Sequence, residues 1–439
     1  MTTNRQLHLN TNVTALGRHP AGWRLLNHPH AIVDLSFYQK IAHVAERGKL
    51  DALFLSDTVA LKGHADGPSQ ALEPTVLLTA LAAQTTHLGL IGTASSTYND
   101  PFNLARRFSS VDHLTGGRVA LNVVTTYDAE AAANFSLTQA PGKAERYARA
   151  REFVDVLTKL WDSWEDGALL ADQKTGRYTD PRRVHAIRHR GTYFQVDGPL
   201  NLPRSPQGRP VLVQAGSSEG GRELAAATAD AVFTAQTTLE GGQQFYADIK
   251  RRARAAGRDP DHIHILPGLF PVIGGTEEQA RARKAEMDEL IDWDRVRAGF
   301  AKVLGLVPDD LPLDRPLPYE KIAKVTRSDQ SQGFVDATLQ LARADNLTVR
   351  ELLDRNPGAH RMVVGTPEQV ADTIEMWFLQ RAADGFNLNA DLFPSGLEAV
   401  VDHVVPILQR RGLFRNDYEG KTLRDHFALP RPASQYAEA

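Results

Sequence analysis

The chain has 439 residues, 42% hydrophobic and 23% charged, with a formal net charge of −3 and no cysteine. That length allows one large domain or two ordinary ones, and the composition is that of a soluble globular protein. The near-neutral charge argues against nucleic acid as a partner, and the lack of cysteine excludes disulfides, thiolate metal sites and cysteine nucleophiles. No apolar run reaches the ~18 residues of a membrane span, and the opening MTTNRQLHLN has no apolar core of signal-peptide length. A cytoplasmic protein with no membrane partner is the expectation.

Short β-rich runs alternate with longer stretches of helical period. QLHLNTNV (6–13) precedes SFYQKIAHVAERG (36–48), in which Ile41, Val44 and Ala45 share one helical face. DALFLSD (51–57) precedes EPTVLLTALAAQT (73–85). HLGLI (87–91) is a third strand, and NLARRFSSVDHL (103–114) reads as helix after it. RVALNVVTT (118–126) leads to a long helical stretch over 143–164. PVLVQAG (210–216), DAVFTAQ (230–236) and HIHILPGLFPVI (262–273) continue the series. GFNLNAD (385–391) is the eighth strand, followed by LEAVVDHVVPILQRRG. Eight strands, each trailed by helical sequence, predict a parallel α/β (β/α)8 TIM barrel, although a doubly wound sheet shares the alternation. Residues at about 165–209 and 292–358 break the rhythm and read as insertions in a single domain spanning 1–439.

In such a barrel, chemistry gathers at the carboxyl ends of the strands. Those positions hold Asp57, Thr93 with Ser95, Asn122 with Thr125 and Thr126, Gly216-Ser217-Ser218, and Gln236. The set is mostly neutral and rich in hydroxyls. It offers no carboxylate pair for glycoside cleavage, no metal triad and no Schiff-base lysine. Neutral hydrogen-bonding groups suit a large planar polar ligand that brings its own reactivity. Ser217 and Ser218 read either as a helix cap or as a phosphate seat. Asp57 reads as a turn former or a ligand contact. Asn122 inside a strand has no bland explanation of similar weight, because asparagine is depleted there.

HAIRH sets His185 and His189 at helical spacing, but it lacks the glutamate of the zinc-protease motif and sits among arginines, so no metal is expected. The histidines of HIH (262–264) share one strand face and suit core or surface use. The basic cluster RRVHAIRHR (182–190) either steers an anionic substrate or forms a solvated face. Neither a G-x-G-x-x-G fingerprint nor a P-loop occurs in the sequence.

Several blocks are familiar. ERGKLDALFLSDTVA, TASSTYNDPFNLARRFSSVDHLTGGRVALNVVTT, ERYARAREFVDVLTKLWDSWEDGA and VVPILQRRGLFRNDYEG closely resemble the nitrilotriacetate monooxygenase branch of the bacterial-luciferase-like flavin monooxygenases. That branch also holds enzymes acting on dibenzothiophene sulfone, long alkanes and pristinamycin-type precursors. The likeness runs in order from about residue 5 to residue 430. It implies the barrel, and reduced FMN supplied by a separate NAD(P)H:flavin reductase. One oxygen atom of O2 would then enter a small organic substrate through a flavin C4a-(hydro)peroxide. A deazaflavin hydride-transfer enzyme and a non-catalytic flavin binder are the competing readings. The resemblance also implies a homo-oligomer.

The same resemblance assigns Asp57, Thr93, Ser95 and Asn122 to the isoalloxazine, and Tyr147, Ser217 and Ser218 to the phosphate. Lys143 stands where relatives commonly carry a histidine, one helical turn before Tyr147, and a lysine donates there as a point charge. RHPAGWR (18–24) matches a His-x-x-x-Trp feature of relatives and makes His19 the catalytic nomination. Luciferase-like barrels also carry a non-proline cis peptide at the end of the third strand, which predicts such a bond within Thr93–Ser96 as the reason for the hydroxyl-rich run there.

Overall fold

Alternating short and long segments resolve into eight parallel strands, each followed by helix. The computed structural model describes residues 5–61, 67–68, 72–325, 332–355 and 358–436. The strands are β1 (His8–Val13), β2 (Ala52–Leu55), β3 (Gly89–Ser95), β4 (Val119–Val124), β5 (Val211–Ala215), β6 (Ala231–Thr234), β7 (His264–Ile273) and β8 (Gly385–Leu388). Each pairs in parallel with the next as far as β7. β8 pairs with both β7 and β1, so the sheet closes. The structure therefore has the TIM-barrel fold.

Side chains along each strand alternate between the helices outside and the barrel interior. Leu53, Leu90, Leu121, Leu212, Leu269 and Phe386 face outward into one large apolar cluster with the helices. Ala52, Phe54, Ile91, Ala120, Val213, Ala231 and Leu266 fill the interior. Leu423, Phe427 and Leu429, from the carboxyl-terminal segment, pack onto that interior set. The sequence pattern gave no sign of this plug.

Two differences from the sequence reading bear on the site. β3 runs to Ser95, so Thr93 and Ser95 lie within a buried strand and not beyond it. HIH is split: His262 ends a short 3-10 turn, and only His264 belongs to β7, where it is buried. The segment 165–209 forms two small hairpins, Leu169–Asp172 with Arg177–Thr179 and His189–Arg190 with Gln195–Val196. Between β7 and β8 come helices Glu277–Asp288, Trp293–Leu304, Gln332–Ala344 and Val349–Arg355. An additional strand, Arg361–Gly365, pairs with β7, and helix Pro367–Leu379 follows it.

At the base, His8 and His264 lie with ring centroids 4.3 Å apart against the edge of Phe427. The His264 Nε2–H donates to the Phe427 carbonyl at 2.7 Å. Burial opposes charge on Asp51, but Arg415 at 2.6 Å, His8 and the Leu9 N–H outweigh it and hold the carboxyl down to about 2. Burial, with His8 beside it, pushes His264 down to about 3. Burial, with Arg415 beside it, pushes His426 down to about 4.

These shifts fix a pH dependence. Native His264 and His426 stay neutral where the unfolded chain's imidazoles, near pKa ~6.5, already take protons. Stability is therefore complete above that value and is lost as pH falls toward 4. At pH ~5 the loss is about 2 kcal/mol per histidine. The Asp51 contribution is lost only at lower pH, as protonation approaches about 2. Urea unfolding should show a clearly lower midpoint at pH ~5 than at pH ~7.5, and His426→Gln should flatten that difference. Equal midpoints at the two pH values would contradict this account of the plug.

Candidate active site at the carboxyl ends of the strands

Thr93 on β3 and Asn122 on β4 are register partners. Asn122 Nδ2 donates to Thr93 Oγ1 at 2.9 Å, and Asn122 Oδ1 is buried with no hydrogen-bond donor among the described residues. Ser95 Oγ accepts from the Thr97 and Tyr98 N–H groups at 3.2 and 3.3 Å and from Thr126 Oγ1 at 2.8 Å. Ser96 Oγ donates to the Val124 carbonyl and Thr97 Oγ1 to the Thr126 carbonyl. The cis peptides among the described residues are Gly198–Pro199 and Phe393–Pro394. The bonds within Thr93–Ser96 are trans, and the expected cis bond there is corrected. The hydroxyl run has another cause: it satisfies polar groups where β3 and β4 leave the sheet together.

Asp57 follows β2 and is half-buried. Burial and the nearby Glu73 carboxylate raise its carboxyl to about 6, against the pull of the Thr58 N–H. Glu73 is held as the N-cap of helix Pro74–Ala82, accepting from Val76 N at 2.8 Å.

Across the mouth, β5 ends in Ala215 and helix Glu219–Thr228 begins four residues later. Ser218 caps it, its Oγ accepting from Gly221 N at 3.3 Å. Tyr147, on helix Lys143–Asp162, lies with its hydroxyl 2.8 Å from the same Ser218 Oγ. Gly220 allows this approach, since a Cβ there would press on the Tyr147 ring at 2.9 Å. Ser217 Oγ lies 3.0 Å from Thr234 Oγ1, which also accepts from Gln236 Nε2 at 3.1 Å. Lys143 is exposed at the first position of the Tyr147 helix. The cap reading of Ser218 is thus realised, and the cap leaves a helix N-terminus ringed by three hydroxyls.

His19 is buried on the loop after β1. Its Nδ1 accepts from the Ala21 N–H at 3.2 Å, so Nε2 carries the proton and donates to Asp288 Oδ1 at 3.0 Å. Asp288 also pairs with Lys284 at 2.6 Å, and Lys284 reaches Asp354. Both ring nitrogens of His19 are therefore engaged by the protein. His185 pairs with Glu165 and His189 with Glu152, so the two do not converge on one point. In the same basic cluster Arg182 pairs with Asp180 and Arg190 with Asp197.

Residue patterning alone passed over two groups at the mouth. Arg18 precedes His19, and its guanidinium is held down to about 10 by burial. His360, just before the strand Arg361–Gly365, is buried with its ring centroid 5.5 Å from that of Phe233 on β6. Proximity of Arg18 to the quoted His-x-x-x-Trp stretch was the available hint; His360 had none.

The luciferase-like monooxygenase family matches residues 19–384 of this chain. The chain is 44% identical over 440 residues to the N-acetyl-S-(2-succino)cysteine monooxygenase of Bacillus subtilis (strain 168), covering 99% of both proteins. It is also 44% identical over 455 residues to nitrilotriacetate monooxygenase component A of Aminobacter aminovorans, covering 100% of both. Among solved structures it resembles a riboflavin lyase determined with modified FMN and riboflavin, at a TM-score of 0.85 and 33% identity over 96% of each chain. With the closed barrel and a full-length match to named monooxygenases, this chain belongs to the luciferase-like monooxygenase family and is a monooxygenase.

Proposed function

We propose that this enzyme is the oxygenase component of a two-component system: it binds reduced FMN made by a separate NAD(P)H:flavin reductase and inserts one atom of O2 into a small organic substrate. The observation that carries this reading is the full-length likeness to a protein named component A of a monooxygenase. The strand-end chemistry supports it, because amides, hydroxyls and a single carboxyl cannot themselves reduce O2.

The residues present fit a flavin mononucleotide. Asn122 Oδ1 is a buried acceptor awaiting a donor, and the edge of a reduced isoalloxazine carries N–H groups. Thr93 fixes the Asn122 amide so that this oxygen, and not the nitrogen, is on offer. Ser95 would support the ring through the turn it holds, and Asp57 would meet its polar edge. Ser217, Ser218, Tyr147 and the free N–H groups of the helix they cap form a phosphate seat, with Lys143 adding charge at its rim. Reduced flavin supplies the two electrons with which one oxygen atom enters the substrate and the other leaves as water. The chain's own part is to orient both ligands and to exclude water. His19, with both nitrogens occupied, acts here by holding the loop after β1. Two relatives are named for molecules bearing several carboxylates, so compounds of that kind head the substrate screen.

Anaerobic titration with reduced FMN should give a tight complex, and turnover with a flavin reductase should add one oxygen to a screened substrate. Tyr147→Phe and Ser218→Ala should each weaken reduced FMN about 10-fold, as loss of a hydrogen bond near 1.4 kcal/mol does. The double variant should lose less than the product of the two, because the hydroxyls share one bond. Full additivity, or no loss in either variant, would refute the phosphate seat.

A second test uses pH. Glu73 raises the Asp57 carboxyl, so Glu73→Gln should move the inflection near 6 in the pH profile of flavin binding to lower pH. Asp57→Asn should abolish it. An inflection that ignores both changes belongs to another group.

A further inference from the structure

We infer that Asn12 is a specificity-determining residue: its side-chain oxygen takes a hydrogen bond from a neutral N–H group, so the substrates this mouth prefers carry a secondary amide or an N–H ring. This rests on the reading of the mouth as that of a flavin monooxygenase.

Two asparagine pairs cross the seam between β1 and β8, Asn10 with Asn387 and Asn12 with Asn389. Main-chain carbonyls, which can only accept, decide which end of each amide is free. Asn389 Nδ2 donates to the Asn387 carbonyl at 3.0 Å, so Asn389 turns its oxygen toward Asn12. Asn12 must answer with Nδ2, and it does so at 3.0 Å. Its Oδ1 is the end left over, buried and with no donor among the described residues. The same logic holds one layer down. Asn387 Nδ2 donates to the Leu266 carbonyl, Asn10 answers with Nδ2, and Asn10 Oδ1 is left over. The seam therefore presents amide oxygens to the barrel interior and not N–H groups.

Asn12 is the member of this row that reaches the mouth. Inward positions fall at every second residue of a strand. β1 supplies His8, Asn10 and Asn12, β5 supplies Val211, Val213 and Ala215, and β7 supplies His264, Leu266 and Gly268. His8 and His264 meet at the base, so Asn12, Ala215 and Gly268 make up the topmost layer. Ala215 and Gly268 have almost no side chain. The His360 ring fills the room over Gly268, whereas Ala215 is only partly buried. Below this layer Phe54 and Phe233 meet edge to face with centroids 5.6 Å apart, and Phe233 too is only partly buried. A chamber open to solvent thus reaches down to an aromatic floor, beside the layer that holds the Asn12 oxygen.

The residues assigned to reduced FMN stand on β3 and β4 and after β2 and β5, which leaves the β8–β1 side for the substrate. Asn12, Ala215, Gly268, Phe54 and Phe233 carry no charge, so the part of a substrate that enters is neutral, whatever its remainder bears. A buried amide oxygen gains when an N–H reaches it and loses when a group without one displaces its water. Thioethers, sulfones and alkanes have no N–H to give. A secondary amide gives one and can lay an attached ring on the two phenylalanines.

The test measures binding of N-benzylacetamide, acetanilide and indole by calorimetry, each beside its N-methyl form. The full-length chain is used both flavin-free and loaded anaerobically with reduced FMN. At least one N–H compound should bind, with its N-methyl form weaker by about 10-fold or more. Asn12→Leu should remove most of that difference by weakening the N–H compound, while leaving reduced FMN affinity unchanged. That variant strands the Asn389 oxygen, so Asn12→Leu combined with Asn389→Leu, which replaces both partners, gives the same reading in a seam without the orphan. For any of these compounds that is oxygenated, the loss should fall on KM more than on kcat. The inference is overturned if no N–H compound binds in either form, or if the preference for N–H survives in the variants. It is equally overturned if N–H and N-methyl forms bind alike, as they would were the Asn12 oxygen completed by water only. Failure of reduced FMN to bind would instead overturn the proposed function, whatever the amides do.

Discussion

Closure of β1 onto β8 is the constraint on which the rest of this molecule depends. The seam joins His8 to Gly385 and Asn10 to Asn387 in register. Inside the barrel the seam is polar. Asn10 Nδ2 donates to Asn387 Oδ1 at 3.1 Å, and Asn12 Nδ2 to Asn389 Oδ1 at 3.0 Å. Asn387 in turn donates to the Leu266 carbonyl on β7. Each such bond contributes about 1 kcal/mol when made and costs about 1–3 kcal/mol when one buried partner is lost. A slip of β1 by one residue would turn Asn10 and Asn12 outward into apolar helices and leave Asn387 and Asn389 without them. The seam therefore sets register as well as closing the ring. Ring closure alone brings Arg18 and His360, far apart in sequence, to one mouth.

Polarity inside the barrel is graded along its axis. The base is sealed by Phe427, Leu423 and two buried histidines, and Ala52, Phe54 and Ile91 lie above it. Away from the amide seam, along β3 and β4, the polar side chains Thr93, Ser95 and Asn122 stand toward the mouth. This order follows from solvation: a polar group deep in the barrel must find a partner within the protein, whereas one at the mouth can face water or a ligand. Asn122 illustrates the difference. Its nitrogen is used internally and its oxygen is not, and such an orphan is tolerated where a ligand completes it. Charge is distributed just as unevenly. Asp57, after β2, has its carboxyl raised to about 6, and Arg18, after β1, remains cationic. The mouth thus carries a carboxyl with a raised pKa on one side and a cation on the other.

Much of this was legible because a strand buried on both faces leaves a strong local signal. All eight strands appear where short apolar runs stand, within a few residues at each end. The strand-end set from Asp57 to Ser218 follows from position alone. What stayed hidden depends on contacts between distant segments. The plug at 423–429 carries ordinary helical sequence, and nothing local reveals that it inserts under the barrel. His360 emerges from the second insertion, where no period guides the eye. Thr93–Thr97 misled in a different way. Small hydroxyls at a strand end fit a strained peptide, and they equally fit a set of cross-strand hydrogen bonds. Only the observed trans bonds and the Ser95, Ser96 and Thr97 partners separate the two.

His19 shows how a buried imidazole can order a mouth through its own hydrogen bonds. An imidazole that accepts through one nitrogen and donates through the other has no lone pair left for a proton in transit. Its hydrogen bond to Asp288 ties the loop after β1 to helix Glu277–Asp288. Lys284 then carries the tie to Asp354 on helix Val349–Arg355, a few residues before His360. This chain of a neutral imidazole, two carboxylates and the lysine between them spans the loop that bears Arg18 and the insertion that precedes His360. His19 is buried and the other groups are partly so, where solvent screens a pair less than at the open surface. The loop after β1 and helix Val349–Arg355 are thereby tied together. A change in the insertion would reach Arg18 through His19, so sequence variation in that segment can reshape the mouth while the barrel below it stays the same.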